Sequence, residues 1–139
     1  MKSTYILLPS VGMMLLTFSV LIVMFRRRVS EMKLKKVHPR KLTTAGVIQE
    51  LLPESVSASS NLTNLFEFPV IFYMASIALF SLGKIQLLDH VLVWAFFLLR
   101  VAHSYIHITY NNVMHRFRAF GFSILILLII VIRVLIQLI

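Results

Sequence analysis

Apolar residues do not alternate with polar ones along this chain; they come in blocks. Tyr5 to Phe25, Leu65 to Leu82, Ile85 to Ile108 and Ala119 to Ile139 each run near the roughly 20 residues that an α-helix needs to cross about 30 Å of hydrocarbon. A barrel strand facing lipid would show a two-residue alternation, and backbone groups in lipid have to be paired within their own segment. The pattern therefore predicts an all-α integral membrane protein, a single four-helix domain spanning residues 1–139. Pro9 and Gly12 fall in the outer part of the first block, where a missing donor or a weak helix former costs least. The basic cluster follows this block instead of preceding it, and no small-residue cleavage site intervenes. It reads as a retained anchor, not a signal peptide.

Composition sharpens the class. With 59% hydrophobic residues in 139 and a mean hydropathy of +0.90, the chain lies outside the range of ordinary soluble domains. It contains no cysteine. A disulfide, a thiolate metal ligand and a cysteine nucleophile are thereby excluded, and any thiol chemistry must use the sulfur of a substrate.

Charge orients the predicted bundle. Arg26, Arg27, Arg28, Lys33, Lys35, Lys36, Arg40 and Lys41 stand between the first two blocks against the single acid Glu31, and basic loops stay in the cytoplasm. Counting spans puts the Gly83 to His90 turn and both termini outside, and returns His115, Arg116 and Arg118 to the inside. Both basic loops then share one face, which supports four spans. The section "RRRVSEMKLKKVHPRK" is amphipathic and suits an interfacial segment ending at His38-Pro39, solvated by anionic headgroups, while "SVSASSN" offers helix caps before the second span. Binding of an anionic substrate is a further role for the basic run; nucleic acid is not an expected partner. Asn61-Leu62-Thr63 matches a glycosylation acceptor, but its inward location empties the match of meaning.

Two polar groupings interrupt the apolar blocks. On a helix, Arg100, His103, His107 and Asn111 follow one another at intervals of three, four and four, and so form a stripe. Such residues are costly against lipid, so the stripe should face the bundle or a wet cavity, where it becomes a functional candidate. In the second span "NLTNLFEFP" places Asn61, Asn64 and Glu67 three apart, just before Pro69. A buried Glu67 needs a partner, and the sequence offers Arg100.

At these residues the chain resembles the MAPEG proteins, membrane-associated proteins in eicosanoid and glutathione metabolism. The likeness rests on "NLFE" and "RVAHSYIHITYNNVMHR", and it looks most like a bacterial branch of the family. In the family's glutathione transferases, leukotriene synthases and prostaglandin E synthases, an Asn-x-x-Glu pair on the second helix and an arginine on the third help bind glutathione. Asn64, Glu67 and Arg100 match these. The Arg-x-x-His/Tyr-x-x-x-Tyr pattern is met at Arg100 and His103, but its last place is His107. A further family arginine corresponds to Arg116, or to Arg118 if the loop differs in length.

The resemblance implies a homotrimer with active sites between subunits, to which Arg26 to Arg28 of a neighbour contribute. It also implies a membrane-bound glutathione-dependent transferase or peroxidase acting on a lipophilic electrophile, with glutathione as co-substrate. Arg100 and Arg116 would then pair its carboxylates, Glu67 its amine and Asn64 a peptide group. Arg116 is the first candidate to stabilise the thiolate and Tyr110 the second, although Tyr110 is equally suited to be an interfacial anchor. His103 or His107 could serve as the base. Two other functions fit the same residues. One is a metal or haem site at His103 and His107, completed by Glu67 or His115. The other is a non-enzymatic scaffold or lipid-binding protein, for which the departure at His107 argues.

Overall fold

In the computed structural model residues 3–139 are described, and they form an all-helical bundle. A 3-10 turn, Ser3–Leu7, leads into α1 (Leu8–Leu34); a second short turn, Pro39–Lys41, and α2 (Ala45–Leu51) follow. Then come α3 (Pro53–Leu82), α4 (Leu87–Ile108) and α5 (Val113–Leu138). The helices α1, with its leading turn, α3, α4 and α5 are each long and apolar enough to cross a membrane.

Two helices outrun their apolar blocks, and one residue accounts for much of this. The helix α1 continues past Phe25 through the basic cluster, so that Glu31 stays on a helix and is 2% exposed. Its Oε1 accepts the backbone N–H of Glu54 at 3.2 Å and its Oε2 that of Ser55 at 3.2 Å, and Lys35 Nζ lies 2.8 Å from Oε1. These N–H groups open α3, where helical donors lack intrahelical partners. The serines of "SVSASSN" therefore lie inside α3 and do not cap it; the cap comes from α1, and Pro53 sits at the first position, where its missing N–H is harmless. The basic run likewise belongs to α1 as far as Leu34 and does not form a separate interfacial segment; Lys36, at φ 52°, turns the chain out of it. At 30 residues, α3 is about 45 Å long, which exceeds the hydrocarbon thickness.

Between lipid-facing helices there is no hydrophobic driving force, so close packing has to hold them together. The buried residues are spaced for it. Ile6, Met13 and Val20 on one side and Leu65, Phe72 and Leu79 on the other recur every seven residues, the period of a left-handed helix pair. Phe72 stacks on Phe96 of α4 with centroids 4.4 Å apart. Gly12 is fixed by the same packing, because a Cβ there would come within 2.8 Å of Cζ of Phe97.

The end of the bundle where α4 begins is tied by polar groups. Asp89 is 0% exposed; its Oδ1 accepts Arg133 Nε at 2.9 Å and its Oδ2 accepts Arg133 Nη2 at 3.2 Å, Gln137 Nε2 at 3.1 Å and the N–H of Gln86 at 2.8 Å. Lys84 Nζ donates to the carbonyl of Gln137 at 3.1 Å. The start of α4 and the end of α5 are thus clamped together.

Candidate functional site

The opposite end is built around Arg100, the largest of the fully buried side chains. Its helix places His103 and His107 on the same buried face, as the three-four spacing requires. The fourth member of the stripe, Asn111, lies beyond the end of α4 in a left-handed conformation, φ 47°. Its side chain nevertheless returns to the group, since Oδ1 accepts Arg116 Nη1 at 2.8 Å. Arg116 Nη1 also lies 3.3 Å from His107 Nε2, and the Arg116 carbonyl is 3.1 Å from His103 Nδ1. One residue of α5 therefore touches both histidines. Asn112 starts that helix by accepting the N–H groups of Met114 and His115 at 3.0 and 3.1 Å, which sets the register of Arg116.

Arg100 itself is poorly provided for. Nη2 donates to the backbone oxygen of Asn64 at 2.9 Å, while Nε and Nη1 have no partner among the described residues. The ring of Phe120 lies 5.5 Å from the guanidinium carbon and 5.6 Å from the His103 ring. The ion pairs among the described residues are Glu31 with Lys35 and Asp89 with Arg133; Arg100 belongs to neither. Glu67 and Arg100 thus form no ion pair at contact distance, although the Glu67 charge still acts on Arg100 from farther off. Glu67 is exposed, and the reason is geometric: each step of three residues falls about 60° short of a full turn, so Asn61 is buried, Asn64 half-buried and Glu67 outside.

His103 Nε2 and His107 Nδ1 are also buried without partners. Beside this cluster lies a cavity of about 210 Å³, walled by Asn64, His103, Val113, Arg116, Phe117 and Phe120. The structure brings together Arg100, His103, His107, Asn64 and Arg116. It leaves Tyr110 outside, exposed and 3.3 Å from His115 Nδ1, and leaves Arg118 exposed as well. Among the described residues no three of His, Asp or Glu gather as metal ligands. His107 Nε2 instead faces the cation of Arg116.

Of the three arginines that follow the apolar block within α1, Arg27 donates to the carbonyl of Ile108 and to Ser57 Oγ, Arg26 is exposed, and Arg28 borders a separate polar cavity with Ser59, Ser60 and Thr63. Sequence reasoning did not single out Asn111 for its hold on Arg116, or Phe120. Asn111 stands in the stripe by spacing alone, whereas nothing in the sequence distinguishes Phe120 from the other apolar residues of the last block.

Residues 6–136 match the family model described as MAPEG family. The chain belongs to the MAPEG family. No curated protein and no solved structure matches it. The MAPEG match takes in the second and third membrane-length helices whole, nearly all of the first and last, and every residue of the Arg100 cluster.

Proposed function

We propose that this MAPEG chain is a membrane-bound glutathione-dependent transferase or peroxidase acting on a lipophilic electrophile. The observation that carries the reading is Arg100, a buried cation with unused donors and no carboxylate bound to it. A buried charge balanced only by the exposed Glu67, beyond ion-pair distance, is costly for a protein to retain. A ligand that brings a carboxylate removes that cost, and glutathione is such a ligand. Its second carboxylate and its sulfur go to Arg116, its amine to Glu67 and a peptide group to Asn64. Phe117 and Phe120 give the cavity an apolar side for the electrophile.

A cavity of 210 Å³ falls below the roughly 300–1,000 Å³ of ordinary ligand sites. One protomer therefore supplies part of the site, and a homotrimer with sites between subunits supplies the rest, with exposed Glu67 and Arg26 turned to a neighbour. The basic end of the bundle lies in the cytoplasm of a bacterial cell, with the four helices in its inner membrane.

The test is calorimetry of detergent-purified protein with glutathione, followed by turnover with an activated aryl halide and with an organic hydroperoxide. Binding with turnover of one of the two is expected. Binding without turnover would make the protein a glutathione-binding scaffold, and no binding would end the reading.

A further inference from the structure

The two histidines are held in opposite tautomers, and Arg116 sets both. Its guanidinium has only donors, so His107 Nε2, 3.3 Å from Nη1, is an acceptor and the His107 proton sits on Nδ1. The Arg116 carbonyl has only lone pairs, so His103 Nδ1, 3.1 Å away, carries the proton and Nε2 does not. The unpartnered atoms of the cluster then sort themselves. Arg100 Nε and Nη1 and His107 Nδ1 are donors; His103 Nε2 is the acceptor. A ligand completing this set brings an anion for the donors and one proton-bearing group for His103.

We infer that His103, through Nε2, is the base that takes the proton from the thiol of bound glutathione, and that His107 is a positioning residue that holds Arg116. The assignment rests on the glutathione reading and goes beyond it by separating the two histidines. The S–H bond breaks, its proton joins Nε2, and its electron pair stays on sulfur for attack on the electrophile. The imidazolium so formed keeps its Nδ1–H on the Arg116 carbonyl, which stabilises the added charge.

Facing His103 are Arg100 and His107 on its own helix, Arg116 and Phe120 on α5, and from α3 the uncharged Asn64; the α3 carboxylate Glu67 lies at the surface and does not face it. Arg100 opposes an imidazolium until a carboxylate neutralises it. Deprotonation is therefore coupled to binding of the tripeptide's carboxylate. Phe120 lines the cavity beside the His103 ring, with centroids 5.6 Å apart.

Three proteins test this: wild type, His103→Asn and His107→Asn. Asparagine at 103 keeps an N–H for the Arg116 carbonyl and removes the Nε2 lone pair. Binding of S-methylglutathione, which has no thiol, is measured by calorimetry, and the thiolate of bound glutathione by ultraviolet difference spectra across pH. His103→Asn should bind S-methylglutathione within about threefold of wild type, lose the thiolate signal at neutral pH, and lower kcat by about 10²-fold or more with KM little changed. His107→Asn should keep a pH-dependent thiolate signal. A wild-type thiolate signal retained in His103→Asn would overturn the assignment while leaving the glutathione reading intact. Failure of wild type to bind S-methylglutathione would remove both.

Discussion

The two ends of the bundle treat a buried charge in opposite ways. At one end Asp89 takes up four hydrogen bonds from Arg133, Gln137 and the Gln86 backbone, and the pair is locally complete. At the other, Arg100 spends one donor on the Asn64 carbonyl and keeps two idle, with idle nitrogens on His103 and His107 beside it. A charge matched by its own chain holds helices in register. A charge left without a contact partner, at comparable burial, is on the proposed reading the place for a ligand's anion.

The contrast is broken most severely at the matched end. Replacing Asp89 with alanine leaves Arg133 and the Gln137 amide without their shared acceptor, and should give the largest loss of stability of these variants in denaturant unfolding from detergent. Ligand binding by the surviving folded protein should be unchanged. A loss under about 1 kcal/mol would mean that the clamp is solvated and structurally idle.

At the unmatched end the expected effect falls on binding. Arg100→Leu should weaken S-methylglutathione by about 100-fold, near 3 kcal/mol, as read by calorimetry. Retained affinity would place the anion elsewhere, and Arg28 beside its polar cavity would be the next position to examine.

Glu31 offers a milder case of the matched kind. Its loss in Glu31→Ala uncaps α3 and frees Lys35, and should cost about 1–2 kcal/mol. Hydrogen exchange should show it locally, as faster exchange of the Glu54 and Ser55 amides. Uniform loosening of the whole bundle would contradict a capping role.

The smallest effect concerns access. Phe120→Leu removes a contact with Arg100 worth about 0.5–1 kcal/mol, and association of S-methylglutathione in stopped flow should quicken about two- to fivefold. An unchanged rate would mean that Phe120 does not limit entry to the cavity.

How much of this was legible in the sequence varies with distance along the chain. The four apolar blocks carried the all-α membrane class, because lipid imposes length and internal pairing on every span. The Arg100, His103, His107 stripe was equally plain, since helical spacing is local information. The start of α3 was not, because its cap is Glu31, 23 residues before Glu54. Neither was the Asp89 to Arg133 clamp, which joins positions 44 apart. Glu67 makes no contact ion pair with Arg100 for a subtler reason: a three-residue repeat drifts around the helix, and its third member lies at the surface, where its charge acts on Arg100 only from a distance. Asn111 sits on the stripe by spacing but beyond the helix that defines it, and reaches Arg116 only because the chain turns back at φ 47°.

The central claim, that the Arg100 cluster is incomplete without an anionic ligand, is tested most directly by denaturant unfolding of wild type and Arg100→Leu, each with and without S-methylglutathione. Wild type should gain about 2.7 kcal/mol at a ligand concentration 100 times its Kd, while Arg100→Leu should be at least as stable as wild type without ligand and gain only about 0.4 kcal/mol at that concentration. A ligand-free Arg100→Leu protein several kcal/mol less stable than wild type, together with no stabilisation of wild type by the ligand, would show that Arg100 is a structural charge like Asp89.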